Sequence, residues 1–292
     1  MPLPPTLSPA ADHRTGVLLM VGAAFFFSLM TLCVKLIGTR LPALEVVFFR
    51  NVFSLVVTAW YLWRMRTPWR GQRHGLLFVR GLLGFVALVL FFYAIPRLPL
   101  AEATLLHFLY PVFTAILAPL VLGEPTQPRV LAALALCLAG LGFILAPQGI
   151  ASLDGVSLDL LAVGAALLAA FLAALAYTAI RALQGTPALL IVLYLPLVAV
   201  PASVPFLIPV FVWPTPTEWA ILLGIGIFTQ IAQVLMTYAL LKATVTKATT
   251  GGYAQIVFAT LWGLLIFSEV PPLTTFAGMV VICLGIALAA RK

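Results

Sequence analysis

The sequence predicts an all-α membrane protein whose ten transmembrane helices form two inverted five-helix repeats. Three observations carry that expectation. Hydrophobic residues make up 63% of the 292 residues and charged residues 8%, against roughly 25% charged in a soluble domain. The apolar residues fall in long unbroken runs, and about 20 helical residues at 1.5 Å each cross a ~30 Å hydrocarbon layer. The second half of the chain also echoes the first at a constant offset of 145 residues.

Residues 1–15 are Pro-rich and polar and read as a tail. The first run, Gly16–Val34, is uncharged and leads into Lys35 and Arg40 without a small-residue cleavage pattern, so it reads as a membrane helix and not a removed signal. Nine further runs lie near 42–63, 75–96, 99–122, 129–147, 158–181, 188–209, 218–241, 246–268 and 272–290. A membrane barrel would show alternating segments of about ten residues instead. The linkers are short, and no soluble domain interrupts the series. The seventh run carries Pro196, Pro201, Pro205 and Pro209, which predict a bent, peripheral span. The resulting divisions are a tail (1–15), a first repeat (16–147), an outer linker (148–157) and a second repeat (158–290).

The net charge of +8 and the pI near 9.8 do not signal nucleic acid, because the basic residues sit mostly at the ends of apolar runs. Arg14, Arg64, Arg66, Arg70, Arg73, Arg129, Arg181, Lys242, Arg291 and Lys292 fall on one side, and Arg40 and Arg97 on the other. The positive-inside rule then places both termini in the cytoplasm. Cys33, Cys137 and Cys283 lie in three different runs and read as packing residues. Three scattered histidines offer no metal site, and no cofactor is expected.

The repeat is ungapped over about 50 residues. Leu90 meets Leu235, Tyr93 meets Tyr238, Ala103–Thr104 meets Ala248–Thr249, Glu124 meets Glu269 and Gly140 meets Gly285. At an offset of 142, Val21–Ala24 meets Val163–Ala166. Five spans per copy force the second copy to enter the membrane upside down. Inverted repeats are a transporter architecture with the substrate site between the halves. Ala165, Ala169 and Ala173, with Ala166, Ala170 and Ala174, let helix backbones approach closely.

These short helices, the paired halves, Glu124 and Glu269 at the ends of the fourth and ninth helices, and Lys35 and Arg50 on the first two resemble the EamA-type drug/metabolite transporter superfamily over residues 16–290. Within it the chain is most similar to the YddG-like amino-acid exporters of bacterial inner membranes. The resemblance implies secondary export of amino acids, with aromatic residues, Met and Thr as candidate cargo, and of related small metabolites. It also implies a central cavity built by helices one, three, four, six, eight and nine. The halves are not equivalent in charge, since Lys35 corresponds to Tyr177 and Arg50 to an apolar residue.

Polar side chains inside a membrane helix point to function or to helix–helix hydrogen bonds. Thr104, His107, Tyr110, Pro111 and Thr114 share one helical face, with His107 fit to bind substrate, carry a proton or simply be hydrogen-bonded in place. Pro111 would mark a hinge. Thr249–Gly252 is a weak point in the ninth helix, with Thr250, Gln255 and Trp262 as cavity candidates. Gln230 and Gln233 share a face of the eighth helix, and their amides suit the ammonium and carboxylate of a zwitterion. Ser28, Tyr93 and Tyr177 complete the substrate set. Lys35, Arg50, Glu45 and Glu102 are candidates for gating, charge pairing or a proton path, with Arg50 the deepest. Glu124 is expected to close a helix end or meet Arg129. A P-loop, H-E-x-x-H and G-x-S-x-G are all missing from the sequence, which disfavours ATP-driven transport and intramembrane enzymes. A drug or other metabolite transporter of the superfamily, or an uncoupled facilitator, remains the alternative.

Overall fold

The computed structural model describes residues 9–37, 40–66, 73–94, 106–152, 160–267 and 273–290. Regular structure among them is helical: α1 (Pro9–Ile37), α2 (Ala43–Arg64), α3 (His74–Ala94), α4 (Tyr110–Leu122), α5 (Pro128–Ser152), α6 (Leu160–Ala182), α7 (Ala188–Leu207), α8 (Pro216–Lys242), α9 (Val245–Thr250), α10 (Ala254–Phe267) and α11 (Leu273–Ala290). Seven of the described helical stretches are long and apolar enough to cross a membrane, and Tyr110–Leu122, Pro128–Phe143 and Phe276–Ala289 are shorter apolar helices. The ninth span is α9 and α10 joined by a 3-10 turn at Gly251–Tyr253, so the ten predicted spans are all represented.

Local chemistry sets several boundaries. α8 opens on a capping box: Thr215 Oγ1 accepts from the Glu218 N–H, and the Thr215 N–H donates to Glu218 Oε2 at 2.6 Å. α4 stops at Gly123, whose φ of +65° needs a residue without a Cβ. Pro111 lies in the first turn of α4, where its missing N–H leaves nothing unsatisfied. It is therefore not the mid-helix hinge expected from the sequence. The interruption lies just upstream, in the turn at Phe108–Leu109.

That turn is the repeat mate of the one at Gly251–Tyr253, and the two meet in space. The Tyr253 hydroxyl donates to the Phe108 carbonyl at 2.8 Å, and the two rings stack at 5.7 Å. Residue and repeat mate touch across a pseudo-two-fold axis. The helix pairings obey the same operation: α1 packs on α8 as α6 packs on α3, α1 on α10 as α6 on α4, while α2–α7 and α5–α11 pair with their own mates.

The α5–α11 crossing shows how the sequence permits this. A Cβ on Gly140 would lie 2.7 Å from the Gly278 carbonyl oxygen, and one on its mate Gly285 would lie 2.8 Å from that of Ala133. Only glycines allow so close an approach. Cys137 is buried in the same seam, consistent with a packing role.

α7 differs from expectation. Pro196, Pro201 and Pro205 lie inside a continuous helix, and Pro209 falls in the following 3-10 turn, Ile208–Val210. The first half of the span is not peripheral, since Leu190, Ile191, Val192, Leu193 and Pro196 are buried and the helix packs on α2 and α3, whereas Pro201 and Pro205 further on are exposed.

Gly140→Ala is expected to cost about 1–3 kcal/mol through overpacking. Gly142→Ala on the same helix, where an added Cβ meets nothing within 4 Å, is expected to be neutral or slightly stabilising. Thermal unfolding in detergent compares the two, and equal melting temperatures would contradict this crossing.

Candidate functional site

Three groups of polar and aromatic side chains form inside the bundle. The first is an aromatic column. His107 stacks on Phe91 with ring centroids 4.1 Å apart and lies 5.7 Å from Tyr110. Tyr110 in turn meets Tyr177 edge-on at 5.3 Å. The break before α4 turns His107 and Tyr110 toward α3 and α6 at this point. His107 Nδ1 is buried without a partner among the described residues. Gly252 receives the Tyr110 hydroxyl, which would lie 2.1 Å from an added Cβ; this glycine serves packing.

Arg50 on α2 and Arg80 on α3 flank the column. Both are buried, at 7% and 2% exposure. Arg50 Nε and Arg80 Nε and Nη1 have no partner among the described residues. Arg50 reaches only the Met30 sulfur, at 3.7 Å. Arg80 escaped the sequence reading, although it interrupts the third apolar run six residues in. Arg50 is thus not the only deep arginine.

The second group joins α1 to α10. Trp262 Nε1 donates to Ser28 Oγ at 2.9 Å, and Gln255 reaches Thr31 Oγ1 at 3.5 Å. The third joins α8 to α2. Ser54 donates to Gln230 Oε1 at 2.5 Å, and Gln230 Nε2 donates to Thr58 at 2.7 Å. Both ends of the Gln230 amide are therefore engaged in this conformation. Gln233, one turn on, is buried with Nε2 unpartnered among the described residues. Thr250 bonds back to the Thr246 carbonyl, and Tyr93 is half-buried near the end of α3. Glu102, Glu269 and the side chain of Lys35 lie outside the described residues.

Each end of the bundle is tied separately. At the end holding the α1–α2 connection, Arg40 forms an ion pair with Glu218 and donates to the Trp213 carbonyl at 2.9 Å. Buried Glu45 accepts from the Val212 N–H at 3.0 Å. At the other end, Arg181 donates to Glu124 at 2.7 Å and to the Leu241 carbonyl at 2.7 Å. Glu124 thus meets Arg181, on a different repeat, in place of the expected Arg129. Arg73 donates to the Ala182 carbonyl at 3.1 Å. Arg73 and Ala182 are the repeat mates of Glu218 and Arg40, so the two ends use corresponding positions with unequal chemistry.

The chain matches known proteins over nearly its whole length. The model of the EamA-like transporter family matches twice, over residues 14–146 and 160–291. The chain belongs to the EamA-like transporter family. It is a multi-pass membrane transporter and not an enzyme. It is 37% identical over 284 residues to the pseudopaline exporter CntI of Pseudomonas aeruginosa, covering 96% of this chain and 97% of that one. It is 26% identical to the S-adenosylmethionine uptake transporter of Rickettsia bellii, covering 85% and 84%, and 27% identical to solute carrier family 35 member G1 of Homo sapiens, covering 95% and 79%. A crystal structure with 20% sequence identity superposes with a TM-score of 0.79 over 94% of this chain and 96% of that one, a likeness of fold alone.

The Tyr110–Gly252 contact locks α4 against the break in the ninth span of this family member. Gly252→Ala is expected to destabilise by about 1–3 kcal/mol, and adding Tyr110→Phe to recover most of the loss. A double-mutant cycle on thermal unfolding reads the coupling; additive effects would show that the hydroxyl does not occupy that space.

Proposed function

We propose that this transporter exports amino acids and related small metabolites across a bacterial inner membrane by alternating access, with both termini in the cytoplasm. The observation that carries the reading is the placement of two buried guanidinium groups and an aromatic column between two separately tied ends. A guanidinium binds a carboxylate through parallel hydrogen bonds, and the Tyr110, Tyr177 and His107 rings offer apolar faces to the rest of a cargo molecule. The Gln233 amide adds a donor and an acceptor. Ser28, Trp262, Gln255 and Thr250 line the seam along which α1 moves against the ninth span.

The ties act as gates. Opening one end requires parting Arg40 from Glu218 and Glu45 from the α7–α8 connection; opening the other requires parting Arg181 from Glu124. The Gln230 bonds between α2 and α8 are weak enough, at about 0.6 kcal/mol each for interhelical bonds in membranes, to slip as the halves rock. His107 and Glu102 are the candidate proton carriers if a proton gradient drives export. The similarity to a pseudopaline exporter favours a second reading, in which the physiological cargo is a metabolite other than a protein amino acid.

Proteoliposomes loaded with Phe, Met or Thr are expected to release them saturably. His107→Ala and Tyr110→Ala are each expected to slow release about tenfold, the equivalent of about 1.4 kcal/mol of lost contact, in protein that still melts cooperatively. Acceleration by an imposed pH gradient identifies proton coupling, and indifference to it identifies a facilitator. Unchanged rates in both variants would remove the aromatic column from the cargo path.

A further inference from the structure

The two buried arginines carry more information than a general affinity for carboxylates. Every other arginine whose bonds are described above sits at a helix end and has an oxygen acceptor: Arg40 has Glu218, Arg181 has Glu124 and Arg73 has the Ala182 carbonyl. Arg50 and Arg80 have no oxygen acceptor among the described residues, although an unanswered charge inside a membrane bundle is costly. The carboxylates that are described do not answer them. Glu218 and Glu124 pair with arginines at the helix ends, and Glu45 accepts from the Val212 N–H at the start of α2.

Their depths differ. Arg50 lies seven residues into α2 and Arg80 six residues into α3, and α2 and α3 run in opposite directions through the bundle. At 1.5 Å per residue the two Cα positions are each about 10 Å from opposite ends, leaving about 10 Å between these backbone levels in a ~30 Å layer, and Arg80 Nη1 reaches inward to lie 3.7 Å from where a Cβ on Gly84 would sit. α3, which carries Arg80, also carries Phe91 of the aromatic column and packs against α6, which carries Tyr177.

We propose that Arg50 and Arg80 are two carboxylate-binding posts for one elongated cargo molecule that carries at least two carboxylates and a net negative charge. The proposal rests on the export reading above and narrows its substrate class. A simple zwitterion brings one carboxylate and an ammonium group, so it neutralises one post and sets its own cation near the other. An elongated dicarboxylate neutralises both and lays its middle against Tyr177 and Tyr110. On this proposal the cargo supplies the partner that Arg50 and Arg80 lack among the described residues.

Transport in proteoliposomes tests this with N-succinyl-L-leucine and L-glutamate, which carry two carboxylates, against L-leucine and L-phenylalanine, which carry one. The two-carboxylate probes are expected to half-saturate at concentrations about tenfold lower, the worth of one further charge-assisted hydrogen bond. Arg50→Gln and Arg80→Gln are each expected to raise the half-saturating concentration of N-succinyl-L-leucine by about tenfold to a hundredfold. For L-leucine, only one of the two substitutions has that effect. Arg50→Lys and Arg80→Lys keep the charge and recover part of the affinity, which separates cargo binding from a general loss of fold. Equal handling of both probe classes, with both Gln variants acting alike on each, overturns the two-post proposal and leaves amino-acid export standing. Movement of neither class overturns both.

Discussion

A charged or hydrogen-bonding group inside hydrocarbon must find its partner within the protein, because no water is there to supply one. The architecture depends on this constraint. It makes the chain helical, since a helix satisfies its own backbone, and it sends most charges to the helix ends. There Arg40, Glu218, Arg181 and Glu124 form ties that hold one repeat to the other. Where a span breaks, the break is answered across the symmetry axis, as the Phe108 carbonyl is by the Tyr253 hydroxyl. Against that background Arg50 and Arg80 stand out as groups left unanswered among the described residues.

The pseudo-two-fold relation explains how one set of packing rules serves two functions. Fixed crossings such as α5–α11 depend on glycines at matched positions and leave no slack. The pairs α1–α8 and α3–α6 carry the end ties, and these differ in chemistry: an ion pair at one end, a hydrogen bond to a carbonyl at the matched site of the other. On the proposed reading, equivalent backbones with unequal locks would let one end open while the other stays shut. The site lies between them, where the aromatic column bends around the broken start of α4.

Much of this was legible in the sequence because it is local or periodic. Run length gave the spans, the Thr-Thr-Gly-Gly stretch marked the break in the ninth, and the 145-residue offset exposed the symmetry. What was not legible concerns partners. Gln230 is visibly polar, yet nothing near it in sequence names Ser54 and Thr58, more than 170 residues away. Glu124 was expected to close a helix end or meet nearby Arg129, and it meets Arg181, brought in by the packing of α6 on α4. The prolines of α7 predicted a bent, peripheral span, because proline counts report lost hydrogen bonds and not the packing that buries the first half of the helix. Arg80 went unremarked in the sequence, although it interrupts the third apolar run.

The central claim is that the two ends open in turn around the Tyr177 centre. The most direct test replaces Cys33, Cys137 and Cys283, introduces Tyr177→Cys, and measures labelling by a membrane-impermeant maleimide from each side. The account predicts labelling from one side at a time, shifted toward the Arg40 end by Arg40→Gln and toward the Arg181 end by Arg181→Gln. Simultaneous labelling from both sides would describe a channel, and labelling unaffected by either substitution would show that these ties are not gates.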